Sequence, residues 1–159
     1  MTQKSLFGGD GDSVAPRPRA AKPAIKANID GGARGNPGPS AYGAVVRNAQ
    51  GEIIAELSDY LGIQTNNFAE YSGLLAVLEF AVKENYSSLS VISDSELMVK
   101  QMKGQYKVKS PGLLELYTRA RSLVRKLEHF SIQHVLRAQN RDADHLVNEV
   151  LDSRARGGR

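Results

Sequence analysis

Four acidic residues stand where an apolar run meets a polar or glycine-rich one. That placement is the chemistry-bearing feature of the sequence. Asp30 closes the run Ala27-Asn28-Ile29-Asp30 and opens Gly31-Gly32-Ala33-Arg34-Gly35-Asn36-Pro37-Gly38-Pro39, a stretch unsuited to a helix or strand interior. Glu70 lies near the start of an apolar helix, Asp94 at the end of an apolar strand, and Asp144 at the start of the last helix. Carboxylates gathered at element ends offer oxygen ligands to hard divalent cations, and such a site can perform phosphoryl chemistry.

Each acid also has a plainer use. Asp30-Gly31 is a common turn pair. Glu70 can be a solvated helix acid, although it borders the apolar stripe of its helix. Asp94 can cap the short helix that follows it. Asp144 can complement the dipole of its helix from the first turn, and Asp142 is a near rival for the same place. None of these uses accounts for the long glycine stretch. One reason to remove side chains over such a length is close approach of a ligand to the backbone.

The chain that must position these acids has 159 residues, 41% of them apolar, which fits one domain with an ordinary core. No apolar run is long enough to cross a membrane, and the N-terminal residues carry no secretory h-region. There is no cysteine, which excludes disulfides and thiolate metal sites and fits a cytoplasmic protein. The formal net charge is +4, from 21 basic and 17 acidic residues, which permits a polyanionic partner without specifying one. Residues 1–22 read as a leader of Gly, Pro and scattered charge without apolar period. Residues 23–152 read as the folded domain, and 153–159 as a short basic tail.

Strands are expected at about 24–30, 42–46 and 52–60. A helix follows over 66–84, with Phe68, Tyr71, Leu74, Leu75, Leu78 and Val82 on one stripe and Thr65 or Asn66 as its cap. A strand at 89–93 leads to a short helix at 95–102. Ser110-Pro111 opens another helix, as N-cap and first position, with Leu113, Leu116, Tyr117, Ala120, Leu123, Val124 and Leu127 as its stripe. A strand over 131–136 and a helix over 140–152 complete the chain. Three strands in a row, then alternation with helices, predict an α/β mixed sheet flanked by helices.

The sequence resembles type 1 ribonuclease H, specifically a short-loop branch of that family. The resemblance rests on Asp30-Gly31-Gly32-Ala33-Arg34-Gly35-Asn36-Pro37-Gly38-Pro39, Thr65-Asn66-Asn67-Phe68-Ala69-Glu70, Ser93-Asp94-Ser95 and Arg137-Ala138-Gln139-Asn140-Arg141-Asp142-Ala143-Asp144. It implies a ribonuclease H-like five-stranded mixed sheet, strands 1–3 antiparallel, with helices on both faces. It puts Asp30 and Asp94 at the ends of adjacent strands. The implied activity is metal-dependent endonucleolytic cleavage of the RNA strand of RNA–DNA hybrids, leaving 3′-hydroxyl and 5′-phosphate ends. Asp30 would bridge two Mg²⁺ ions, with Mn²⁺ a possible substitute. Glu70 and Asp94 would complete the leaving-group side, and Asp144 would hold the ion beside the attacking water. Asn36, Asn66 and Asn67 match positions that line the hybrid's minor groove, where the 2′-hydroxyl distinguishes RNA from DNA. Thr65 matches a contact to a DNA phosphate. The implied state is a monomer.

Several positions depart from the family pattern. Many relatives carry a histidine in a loop before the last acid; here Arg137 stands at the corresponding place, and His145 is the histidine nearest the site in sequence. His134 reads as an ordinary strand residue. The basic, Trp-containing arm found in many relatives is reduced to Gly104–Lys109, and Lys100, Lys103, Lys107 and Lys109 read either as a reduced backbone contact or as a solvated face. Glu96 stands where glutamine is common, and Ile63 where some relatives place an arginine. Three other functions compete: a non-catalytic hybrid-binding domain, a related two-metal DNA nuclease, and an α/β domain of unrelated duty.

Overall fold

The computed structural model describes residues 22–157. The expected leader lies outside the described residues except for Lys22. That residue belongs to the folded body: its N–H donates to the Asn85 carbonyl at 3.0 Å, and its ammonium lies 5.0 Å from the Tyr86 ring centre.

The elements are β1 (Ile25–Ala33), β2 (Gly38–Arg47), β3 (Ile53–Gln64), α1 (Asn66–Lys83), β4 (Ser88–Ser93), α2 (Glu96–Met102), α3 (Pro111–Val124), β5 (His129–His134) and α4 (Arg141–Gly157). The sheet order is β3-β2-β1-β4-β5. β1 pairs antiparallel with β2, and β2 with β3, whereas β4 runs parallel to both β1 and β5. This is the expected five-stranded mixed sheet.

Strand alternation divides the core. Ile25, Ala27, Ile29, Ala44 and Val46 pack with α1, which α2 and α3 cover in turn. Ala41 faces the other way, against Val147 and Leu151 of α4. Because α1 is sandwiched between sheet and helices, its buried set is wider than the single expected stripe and includes Ala69, Gly73, Val77 and Ala81. Every residue of the expected α3 stripe is buried or packed against that core. Thr65 caps α1, its Oγ1 accepting from the Phe68 N–H at 3.1 Å. Ser110 takes the N-cap place of α3 without a side-chain bond, and Pro111 alone supplies the start signal.

Three expectations are corrected. α4 continues through Gly157, so the segment expected as a tail from 153 is helical over five more residues; Arg154 stacks over Tyr60 at 4.4 Å there. The last strand begins at His129 and ends at His134, after which Arg137–Gln139 form a 3₁₀ turn. The glycine stretch is mostly strand: Gly31, Gly32 and Ala33 pair with Tyr42, Ala41 and Ser40, leaving only residues 34–37 as connection. The reason is close approach of backbone to backbone. A Cβ on Gly31 would strike the main chain of Ala69 and Glu70, and one on Gly43 would lie 2.7 Å from the Leu146 Cβ and 2.8 Å from the Ala143 carbonyl.

Gly31→Ala should therefore destabilise the fold by roughly 1–3 kcal/mol, the range for overpacking against atoms that cannot yield. Gly112→Ala, where a Cβ meets nothing within 4 Å, should stay within about 1 kcal/mol of wild type. Urea denaturation of the two variants checks the contrast.

Candidate active site

Asp30 lies in β1 opposite Gly43 of β2. On the other side Ile29 is in register with Ser93 of β4, so Asp94, the next residue after that strand, comes alongside Asp30. Glu70 arrives from a third element. The bare Gly31 backbone lets α1 settle onto β1 at Ala69 and Glu70, which brings the Glu70 carboxylate to the strand end. One carboxylate oxygen from each of Asp30, Glu70 and Asp94 lies within 4.8 Å of the others. Asp144 approaches from α4, on the opposite face of the sheet from α1, and is hydrogen-bonded to Asp30. Asp30, Glu70, Asp144 and Arg137 share the walls of one cleft of about 320 Å³.

The electrostatics follow from this crowding. Burial, then the neighbouring charges of Asp94 and Asp144, raise the Asp30 carboxyl from 3.8 to about 8. Burial chiefly raises Glu70 from 4.5 to about 7, opposed by a hydrogen bond from Ser95. Asp94 Oδ2 is buried and has no hydrogen-bond partner; the nearest cation is Arg137 Nε, at 3.6 Å on a side chain 82% exposed. Converging oxygen donors, an orphaned carboxylate oxygen and mutual repulsion together suit a hard divalent cation.

The plainer uses of the acids can now be weighed. The cap of α2 is Ser95, whose Oγ accepts from the Met98 N–H at 3.3 Å, so Asp94 is left for the cluster. Asp142 is ion-paired with Arg47 at 2.6 Å, outside the cluster. Glu96 is ion-paired with Lys100 at 3.1 Å, and that lysine also lies over Tyr106. His145 faces Glu149, 3.3 Å away, and His134 ends β5 on the surface. Arg137, by contrast, rims the cleft.

The asparagines and Thr65 gather around the start of α1. Asn36 Oδ1 accepts from the Asn66 N–H at 2.9 Å, and Asn66 Oδ1 accepts from the Ala33 N–H at 2.8 Å. Asn67 is half-buried in the first turn. Two residues beyond the sequence-derived set shape the site. Ser95 bonds Glu70, and Asn140, wholly buried, ties α4 to β1 through the Ile29 carbonyl at 2.7 Å. An Asn just ahead of a helix signals only a cap, and nothing in the sequence points to its strand partners.

Comparison with known proteins agrees with this architecture. A family model described as reverse transcriptase-like matches residues 28–150. The bifunctional protein Rv2228c of Mycobacterium tuberculosis is 46% identical over 127 residues, covering 79% of this chain and 35% of its own length. The chain thus spans about a third of that relative. The solved N-terminal RNase H domain of Rv2228c superposes with a TM-score of 0.82 at 42% identity, covering 87% of this chain and all of that one. Ribonuclease HI of Halobacterium salinarum is 43% identical over 128 residues, 80% of this chain and 64% of its own. LC11-RNase H1, solved in complex with an RNA/DNA hybrid, has a TM-score of 0.75 at 40% identity, covering 81% of this chain and 97% of its own. The fold is that of the RNase H-like α/β class, and the chain belongs to the ribonuclease H family.

The raised carboxyls make a stability prediction. In the unfolded chain they ionise near 3.8 and 4.5, in the folded one only toward about 8 and 7. The folded state therefore holds protons that the unfolded state releases. The stability this contributes is complete below about pH 4 and is lost as pH rises through 7 to 8. In EDTA, Asp30→Asn should melt above wild type at pH 8.5, with the gap closing toward pH 4. Added Mg²⁺ should raise the wild-type melting temperature more at pH 8.5 than at pH 5.5. Calorimetric scans across pH read both effects.

Proposed function

We propose that this chain is a metal-dependent endoribonuclease that hydrolyses the RNA strand of RNA–DNA hybrids. The observation that carries the reading is the convergence of Asp30, Glu70 and Asp94 within 4.8 Å, with a buried oxygen of Asp94 lacking any donor. A site facing phosphates gains nothing from uncompensated negative charge unless cations fill it. The family relationship supplies the substrate class, since a relative of the same fold is solved with an RNA/DNA hybrid.

Mg²⁺ is the expected ion, with Mn²⁺ as substitute; a pair of such ions would polarise the attacking water and stabilise the leaving oxygen of an in-line displacement. Asp30 holds the centre of the site, Glu70 and Asp94 its leaving-group side, and Asp144 the side of the water. A water oxygen bonds to phosphorus as the P–O3′ bond breaks. The 3′ oxygen ends as a hydroxyl and the phosphate stays on the 5′ side. Arg137, exposed at the rim, offers its charge to the scissile phosphate.

Substrate recognition falls to the start of α1 and the hairpin beside it. The Asn36 and Asn66 carbonyl oxygens are occupied by backbone N–H groups. Their amide nitrogens are the ends left to reach outward, so these residues serve as donors, and the minor groove of a hybrid presents acceptors and 2′-hydroxyls. Asn67 extends the row, and Thr65 meets a DNA phosphate while capping its helix. The chain acts as a monomer in the cytoplasm. Among the described residues no helix is long and apolar enough to cross a membrane.

Labelled RNA–DNA hybrid, double-stranded DNA and double-stranded RNA, each with Mg²⁺, Mn²⁺ or EDTA, test the reading. The hybrid alone should be cut efficiently, only with metal, and Asp30→Asn should reduce cleavage to background while folding normally. Arg137→Ala should slow single-turnover cleavage by about tenfold. His145→Ala should stay within about twofold, far from the ~10²–10⁴ lost with a general acid–base. Wild-type turnover by a folded Asp30→Asn protein would overturn the proposal.

A further inference from the structure

We infer that Asn28 and Asn140 form a clasp that positions Asp144 relative to Asp30. The inference rests on the acid-site reading above and deepens it by naming what sets the fourth carboxylate in place. Asn140 is 1% exposed. Its Nδ2 donates to the Ile29 carbonyl at 2.7 Å, one residue before Asp30. Its backbone carbonyl accepts from the Asp144 N–H at 3.2 Å, in the first turn of α4. One residue therefore bonds both to the strand that carries Asp30 and to the helix turn that carries Asp144.

Asn28 fixes which way that residue faces. The two ends of a carboxamide have nearly the same shape, so packing alone does not orient one. Asn28 Nδ2 donates to Asn140 Oδ1 at 3.0 Å, which turns the Asn140 nitrogen toward the Ile29 carbonyl. The same contact explains an oddity of the sequence. Asn28 is a half-buried amide inside β1, in a position that strand preference would give to a β-branched residue.

The three-acid cluster does not need this clasp. Asp30, Glu70 and Asp94 are set by β1, α1 and β4. Asp144 alone comes from α4, so a shift of that helix end moves Asp144 and leaves the other three. The Arg47–Asp142 ion pair anchors the same turn, but it is exposed and touches neither Ile29 nor Asp30. Asn28 and Asn140 are thus positioning residues acting through Asp144.

The test is a double-mutant cycle on the full chain, combining Asn28→Ala with Asp144→Asn and using Asn140→Ala as the stronger perturbation. Single-turnover hybrid cleavage, calorimetric Mn²⁺ titration and melting are measured on each protein. Asn28→Ala should melt cooperatively and bind hybrid within about twofold of wild type. It should cleave about 10- to 100-fold more slowly, the loss expected from an ångström-scale misplacement, and need at least threefold more Mn²⁺ for half-maximal rate. In the Asp144→Asn background the same change should cost less than about twofold in rate and leave the Mn²⁺ affinity unaltered, because no carboxylate remains to be placed. Losses that add fully across the cycle, in rate or in Mn²⁺ affinity, would mean general support of the fold and overturn the clasp. So would wild-type rate and metal requirement in a folded Asn28→Ala protein. Wild-type cleavage by Asp144→Asn would instead refute the acid-site reading, and the clasp with it.

Discussion

Carboxyl groups drawn out of water and set against one another repel, and each loses the hydration that made its charge tolerable. In this fold Asp30 is the centre of that conflict, buried and flanked by Asp94 and Asp144, with Glu70 completing the cluster. Among the described residues no cation enters the cluster to relieve it. The nearest, Arg137, stays at its mouth, 3.6 Å from a buried carboxylate oxygen that accepts no hydrogen bond. The surroundings are therefore built to hold the acids together against their own repulsion. Thr65 and Ser95 cap the helices beside Glu70 and Asp94, and Ser95 also bonds Glu70.

The geometry depends on main-chain contacts that side chains would prevent. At Gly31, α1 meets β1 backbone to backbone; at Gly43, α4 meets β2 in the same manner from the other face. An ordinary helix–sheet spacing would hold Glu70 and Asp144 too far from Asp30 for a shared ligand.

Much of this was legible in the sequence, for identifiable reasons. Helices with long apolar periodicity, and turns with strong glycine or proline signals, were found within a few residues of their observed limits. The four acids were recognisable because each sits at an element boundary. What could not be read was contact between distant segments. The glycine run on its own suggests room for a ligand, but the partner of Gly31 is the main chain of α1, which no local pattern reveals. The end of α4 was misplaced because Ser153–Arg156 carries no apolar stripe. There the helix is held by the Arg34–Asp152 and Arg154–Tyr60 contacts rather than by an apolar stripe. The asparagines matching the minor-groove positions turned out to be half committed to holding the β1–β2 connection against α1.

Two of the polar contacts that tie α4 to the rest of the molecule lie at different points along its length. Asn140 holds its first turn to β1, and Arg34 in the hairpin connection reaches Asp152 at 2.6 Å and Asn148 at 3.4 Å further along. A rod pinned at one end can still pivot. A second pin, roughly two to three turns along, removes the pivot and leaves only bending, which a helix resists. Asp144 rides between the pins, and the second pin is the hairpin that also carries Asn36. The strip proposed to face the minor groove of a hybrid and the helix that carries the fourth acid are in this sense one mechanical part.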